Sequence, residues 1–417
     1  MPVNGPHKNI SIDQLTPGMF MVGVDVPWYR SPFLSHTRLI EDADTIKTMR
    51  QHGIRTVTID ISKGTDVRTD AKEEPPAKIE TGAQTTIAVE PPADPTQPDT
   101  GSVHTLYRDA HETVERIFAQ LEQGVPPSPT ITKAVVSNVL MRIIDDRTAV
   151  MTHLALQKLK QFDSSLATHA LDTCILSLVV AVDIGLDETA LAQLGTGALL
   201  HDAGYARLPR NLVRKRQTCT DNERLLLQQH PALGTALFTE TAGFDAATTR
   251  IVAEHHEREN GSGFPSGLKH DSISTLAMIV GIVDWYDGMV SRRGGRAAML
   301  PSTAVQRLFV AGQQGQFTNT LAESVIRSIG IYPTGSLVLL NTGEHAVVVG
   351  INPGQRLKPL VKIIAGPRGE SYVTPLLTDL AAQTTDRESR SILRGLDPVQ
   401  ERVNIALYLD EISSEAA

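Results

Sequence analysis

The sequence is poor in cysteine, with only Cys174 and Cys219 among 417 residues. Two thiols cannot build a disulfide framework and they match no zinc spacing, which fits a reducing cytosol. Aromatic residues are scarce as well, at 4%. Positive charge is in deficit: Lys plus Arg number 39 against 47 Asp plus Glu, a net charge of -8. That sign excludes a protein that wraps long nucleic acid electrostatically, so any phosphate must be met by a local cluster. Long apolar runs are missing too. The longest, Cys174 to Val182, ends at Asp183, short of the roughly 20 residues of a membrane helix, and predicts a core helix without a membrane span. Met1 to Ile10 holds Pro2, Gly5, Pro6 and Lys8 where an export signal needs its apolar stretch, so a cytoplasmic location is expected. At 41% hydrophobic and 21% charged residues, collagen-like, coiled-coil and wholly disordered chains are excluded, and the length allows two or three domains.

The fold expected is mainly α: a helical bundle core with a small α+β N-terminal domain and a small β appendage. Residues 1–62 are short-ranged in pattern, with the turn Thr16-Pro17-Gly18 and the β-branched run Thr56 to Ile59, and predict the α+β domain. Residues 63–102 shift to Pro, Thr, Glu, Asp and Gly, which cannot bury enough apolar surface to order, and predict a linker. Helical periodicity begins near Val103, giving a connector over 103–157 and a helical domain over 158–330. Asp187, Thr220 with Glu223, and Asp245 are placed as helix N-caps. Residues 331–375 predict a β segment with strands at Ser336 to Leu340, Ala346 to Ile351 and Leu360 to Ile364, and 376–417 a tail that is helical at best.

What the sequence does have is 13 histidines, and they are not scattered. His169, His201, His230, His255 and His256 all lie in the helical region at or near helix ends, with Asp202 directly after His201 and Asp284 on the apolar helix Leu276 to Val290. Helix ends facing one bundle interior gather metal ligands from several elements. Five imidazoles and two carboxylates are enough for two divalent ions, and a set without thiolate suits iron, manganese or zinc. A second His-Asp pair, His270-Asp271, sits in a polar turn with no helix behind it and reads as chance.

The string His201-Asp202-Ala203-Gly204, the step His230-Pro231, the run His255-His256-Glu257 through Gly261-Ser262-Gly263-Phe264-Pro265, His169, and Val283-Asp284-Trp285-Tyr286-Asp287 together resemble the bacterial HD-GYP domain, over roughly Lys158 to Gly330. The front of the chain, with Leu15 to Met19 and Trp28 before Pro32-Phe33, is similar to the small domain that often precedes it. The resemblance implies metal-dependent hydrolysis of cyclic di-GMP to pGpG or GMP in bacterial signalling. It implies that His169, His201, Asp202, His230, His255, His256 and Asp284 hold two divalent ions, iron or manganese, with Asp202 as the bridge, and that Arg293 and Arg296 bind phosphate. Planar guanidinium forks suit that task. Protein partners or a homodimer are compatible with this reading.

The pattern also departs from the family. Tyr205 stands where a lysine normally reaches the substrate phosphate or the water, so electrostatic stabilisation there is weaker. Phe264 replaces the signature tyrosine, Asn260 an aspartate, and Gly294-Gly295 a Pro-Tyr pair. Ser165 stands where three-metal members carry glutamate, which favours two ions. A rival reading is a degenerate homologue that binds cyclic di-GMP or a protein without turnover, signalled by Tyr205; an HD-type phosphohydrolase acting on another nucleotide is disfavoured, because the second histidine cluster exceeds that superfamily's minimal His, His-Asp, Asp set.

Overall fold

In the computed structural model the chain divides into two units, residues 1–100 and 101–417. The residues described are 7–24, 38–40, 42–51, 54–65, 103–160, 165–215, 218–239, 241, 243–292, 297–352, 354–383 and 389–409. Trp28, Pro32, Phe33, most of the expected linker, Arg293 and Arg296 lie outside them.

The first unit is a small α+β fold: β1 (His7–Ser11), β2 (Phe20–Val24), β3 (Arg38–Leu39), helix α1 (Ala43–Gln51) and β4 (Thr56–Asp60). Its antiparallel sheet runs in the order β1-β4-β2-β3. Side chains alternate across a strand, so Val57 and Ile59 of β4 point to one face, where they join Ile10, Met21 and Met49 in a core.

The second unit opens with helices: α2 (Val103–Glu122), α3 (Pro129–Asp145), α4 (Arg147–Lys160), α5 (Leu166–Asp183), α6 (Glu188–Leu200), α7 (Arg210–Val213), α8 (Asp221–Leu227), α9 (His230–Thr239), α10 (Ala246–Glu254), α11 (Thr275–Val290), α12 (Pro301–Gln313) and α13 (Asn319–Ile329). Helix α5 is predominantly apolar around its circumference, so its stable place is the centre of the bundle. It packs there against α2, α3, α6, α11 and α13. By length and composition it is also the one described helix that passes as a membrane span, and 83% of that stretch is buried. Asp187, Thr220 with Glu223, and Asp245 are N-caps, each side chain accepting from a backbone N–H in the first turn. Ser165 caps α5 in the same way, accepting from the Thr168 N–H at 3.1 Å.

The chain then forms β5 (Leu337–Leu340), β6 (His345–Gly350), β7 (Leu360–Ala365), β8 (Ser371–Asp379) and β9 (Ile392–Leu396), followed by the short helix α14 (Ala406–Leu409). The antiparallel order is β8-β7-β6-β5-β9. One face buries Val338, Ala346 and Val348. The other buries Leu337, Val347 and Val349 against Leu156 of α4. Burial on both faces explains why β6 reads as an unbroken apolar run rather than an alternation. The reading of 376–417 as helical at best is corrected here, because that stretch completes β8 and supplies β9. Pro375 inside β8 cannot donate to a ladder, so the strand is confined to the sheet edge where it lies. β9 pairs with β5 across more than 50 residues of chain, a partner no local pattern can show.

Candidate metal centre

Five helices each deliver ligands to one place. α5 carries His169 at the end of its first turn, α6 ends at His201 with Asp202 following, α9 starts at His230, α10 ends at His255 with His256 following, and α11 carries Asp284. All seven sequence-predicted ligands converge. They form two groups, His169 with His201 and Asp284, and Asp202 with His230, His255 and His256; within each group the candidate ligand atoms lie within 4.8 Å of one another. Asp202 lies between the groups: its Oδ2 is 3.9 Å from His169 Nε2, and its Oδ1 is 3.5 Å from His201 Nε2 and 3.3 Å from His230 Nε2.

The helix ends set the histidine tautomers. The last carbonyls of a helix lack intrahelical partners, and a carbonyl can only accept. His201 Nδ1–H donates to the Ala198 carbonyl at 2.7 Å, His230 Nδ1–H to that of Leu227 at 2.7 Å, and His255 Nδ1–H to that of Val252 at 2.9 Å. In each neutral ring the lone pair therefore sits on Nε2 and faces the centre. His169 is oriented by a carboxylate instead, with Nδ1 2.7 Å from Asp287 Oδ2 and Nε2 2.9 Å from Asp284 Oδ1. Such outer partners fix ring orientation and raise ligand basicity.

Two details test whether a cation fits. His201 Nε2 is buried and has no hydrogen-bond partner among the described residues. The Nε2 atoms of His230 and His255 stand 3.2 Å apart, so two acceptors face each other, an arrangement a cation satisfies and an apolar core does not. The electrostatics agree. Burial, reinforced by the neighbouring imidazoles, holds His255 well below its ordinary pKa, and burial brings His256 down to about 3 and lowers His230. Burial alone would raise Asp284, but the His169 hydrogen bond and the adjacent His256 outweigh it and keep the carboxyl well below its usual range. Neutral imidazoles and ionised carboxylates are the protonation states metal binding requires.

Two glycines permit this convergence. A Cβ on Gly204 would stand 1.9 Å from the His230 carbonyl oxygen, and one on Gly281 would stand 2.1 Å from that of His255. The Gly204 of the His-Asp-x-Gly string thus lets the turn after Asp202 touch the start of α9, and Gly281 lets α11 cross the end of α10.

Several supporting residues were not singled out from sequence. Lys158, on the last turn of α4, donates to Asp172 Oδ2 at 2.8 Å, to Asp287 Oδ1, and to Ser291 Oγ at 3.1 Å. Tyr107 donates to Asp172 at 2.7 Å. A chain Tyr107–Asp172–Lys158–Asp287–His169 thus runs from α2 to the centre. Burial opposes the charge on Lys158, yet the two carboxylates raise its pKa. Glu257 is buried and clamps the following loop, accepting from the N–H groups of Ser266 at 2.7 Å and Leu268 at 2.9 Å. The available signal was position: Asp287 is one turn beyond Asp284, and Lys158 interrupts an apolar stripe. Tyr205 is half-buried and stacks on His230, centroids 4.1 Å apart and planes at 17°. Phe264 stacks on His256 at 4.4 Å. His270 is exposed and faces Glu259 at 3.7 Å, apart from the centre.

Residues 138–318 match the HD domain, residues 7–130 a domain of unknown function (DUF3391), and residues 337–386 the KOW domain associated with HD domain. Among curated proteins the chain is similar to a cyclic di-GMP phosphodiesterase of Pseudomonas aeruginosa, 26% identical over 401 residues that cover 94% of this chain and 92% of the relative. It is also similar to a cyclic di-GMP phosphodiesterase response regulator of Xanthomonas campestris pv. campestris, 31% identical over 132 residues, 31% of this chain and 35% of that one. Among solved structures, an HDG"Y"P protein from Bdellovibrio bacteriovorus aligns with a TM-score of 0.43 at 16% identity, covering 76% of this chain and 98% of the other.

Proposed function

We propose that the protein is a metal-dependent phosphodiesterase that hydrolyses cyclic di-GMP to pGpG or GMP. The observation that carries the reading is the convergence of Nε2 lone pairs from His201, His230 and His255 on the Asp202 and Asp284 carboxylates in a buried centre. The near full-length similarity to the Pseudomonas aeruginosa enzyme supports the substrate.

In this reading His169, His201 and Asp284 would hold one divalent ion, His230, His255 and His256 would hold the other, and Asp202 would serve both. The donor set, all nitrogen and oxygen, suits iron or manganese. Bound there, such ions would supply Lewis acidity toward the phosphodiester and toward water. The chain's own part is positional. Carbonyls at three helix ends hold imidazoles with Nε2 inward, Asp287 does the same for His169, and Phe264 walls the His256 side. Arg293 and Arg296 are assigned to the substrate phosphates. Tyr205 is assigned a neutral hydrogen-bonding role near the reacting phosphate, where a lysine would add charge.

One observation favours a second reading, binding without turnover: Tyr205 lies flat on His230 and brings no positive charge. Iron and manganese analysis coupled to a product assay on the same preparation decides between them. Release of pGpG or GMP by metal-loaded protein is expected, and loaded metals with no product refute the enzyme.

A further inference from the structure

Between the helices and the C-terminal sheet of the second unit lies a cavity of about 750 Å³ that contains none of the seven ligand residues in its wall. Folded interiors rarely leave voids much larger than a water molecule, because wall atoms facing a gap lose their dispersion contacts. A volume in the range of roughly 300–1,000 Å³ is that of a small-molecule site. The wall is largely aliphatic, built from Met151, Leu154, Leu176, Val290, Leu337 and Ile405 among others, and Tyr286 is its one aromatic residue among those described. A flat aromatic ligand would thus find little to stack on, whereas a flexible chain packs well against leucine and methionine.

Two polar groups in the wall lack partners among the described residues. Ser336 is 5% exposed, and its Oγ makes no hydrogen bond among the described residues. A buried hydroxyl left unsatisfied is costly unless a ligand meets it. Arg292 is exposed and makes no ion pair among the described residues, so it offers a free cation where the cavity opens. The other charged wall groups are engaged: Lys158 is held by Asp172 and Asp287, and Asp397 accepts from the Val399 N–H at 2.9 Å.

We propose that this cavity binds an aliphatic carboxylate of fatty-acid type, its chain against the aliphatic wall and its carboxylate meeting Arg292 and Ser336. The site is separate from that of the dinucleotide, whose polar bases and two phosphates do not match an aliphatic wall. Its nearest link to the metal centre is Lys158, which lines the cavity and also holds Asp287.

The test is calorimetric titration of the metal-loaded full-length chain with myristate below its micelle concentration. One saturable site is expected. Ala155→Phe, which narrows the cavity, should abolish it, and Ser336→Val and Arg292→Gln should each weaken it about tenfold or more, the worth of the polar contact each removes. Ser336→Val keeps the test interpretable, since the hydroxyl it removes makes no bond and the melting temperature should hold. Tetradecanol should bind at least about tenfold more weakly than myristate. Absence of saturable binding, undiminished binding by a folded Ser336→Val chain, or equal binding of tetradecanol overturns the proposal.

Discussion

Replacing Lys158 by methionine tests the link between the outer helices and the metal centre. The side chain is 14% exposed and neutralises two carboxylates that are 1% and 0% exposed, Asp172 and Asp287. Methionine keeps the volume and removes the charge, leaving two buried carboxylates without a cation. Breaking a buried pair from one side costs about 3–5 kcal/mol. The alternative is for one carboxyl to take up a proton, and Asp172 is the candidate, because burial and then the charge of Asp287 already push it up against the pull of Lys158. From an unfolded pKa near 3.9, holding that proton costs about 1.4 kcal/mol per pH unit, roughly 5–6 kcal/mol at pH 8 and about 1.5 at pH 5. The cheaper route wins at each pH. The deficit relative to the parent should therefore be about 3–5 kcal/mol at pH 8 and fall to about 1.5 at pH 5. The sign follows from linkage: the folded variant binds more protons than the unfolded one, so its stability drops as pH rises. Urea unfolding of the metal-free chain, followed by helical circular dichroism at both pH values, measures this. Adding Asp172→Asn to the variant should recover most of the loss. A deficit under about 1 kcal/mol at pH 8, or one that grows toward pH 5, refutes the coupling argued for Lys158.

Four further outcomes follow from the same geometry. Asp202→Ala should lose both bound metal and turnover, because its oxygens reach histidines of both groups; an active variant retaining two ions would sink the bridge assignment. Tyr205→Lys should raise turnover by restoring positive charge beside the phosphate, and a flat or lower rate in the product assay shows that the stack on His230 matters more. Gly204→Ala places a methyl 1.9 Å from the His230 carbonyl oxygen, so metal affinity measured by chelator competition should drop about tenfold or more. Cys174 is buried, with its thiol pushed up to about 12, while Cys219 is half-buried; mass spectrometry after alkylation of the native chain at pH 7.5 should find label on Cys219 and none on Cys174.

Much of the candidate site was legible because its residue types are individually rare in apolar helices. A histidine or aspartate at the end of such a helix has few reasons to be there, and seven of them in one region point to a single centre. The N-caps were equally local, since Asp187, Thr220 and Asp245 act within one turn of themselves. The supporting network was not legible. Asp172 and Lys158 are separated by 14 residues, Lys158 and Asp287 by 129, and each alone looks like a charge on a helix. Glu257 sat inside a quoted motif, but its role comes from backbone N–H groups nine and eleven residues on. The edge strand β8 was hidden by Pro375, and β9 by its distant partner.

By itself the sequence determined the helical class, the helix caps and the identity of the candidate ligand side chains, because propensity, capping and ligand chemistry are properties of residues and their near neighbours. Only the tertiary structure decided which ring nitrogen faces inward, since that depends on a carbonyl or carboxylate brought up by packing. It alone showed that Lys158 of α4 reaches the centre through Asp287, and that a cavity opens where helices meet the sheet. Those features depend on distances between elements far apart in the chain, which no local pattern encodes.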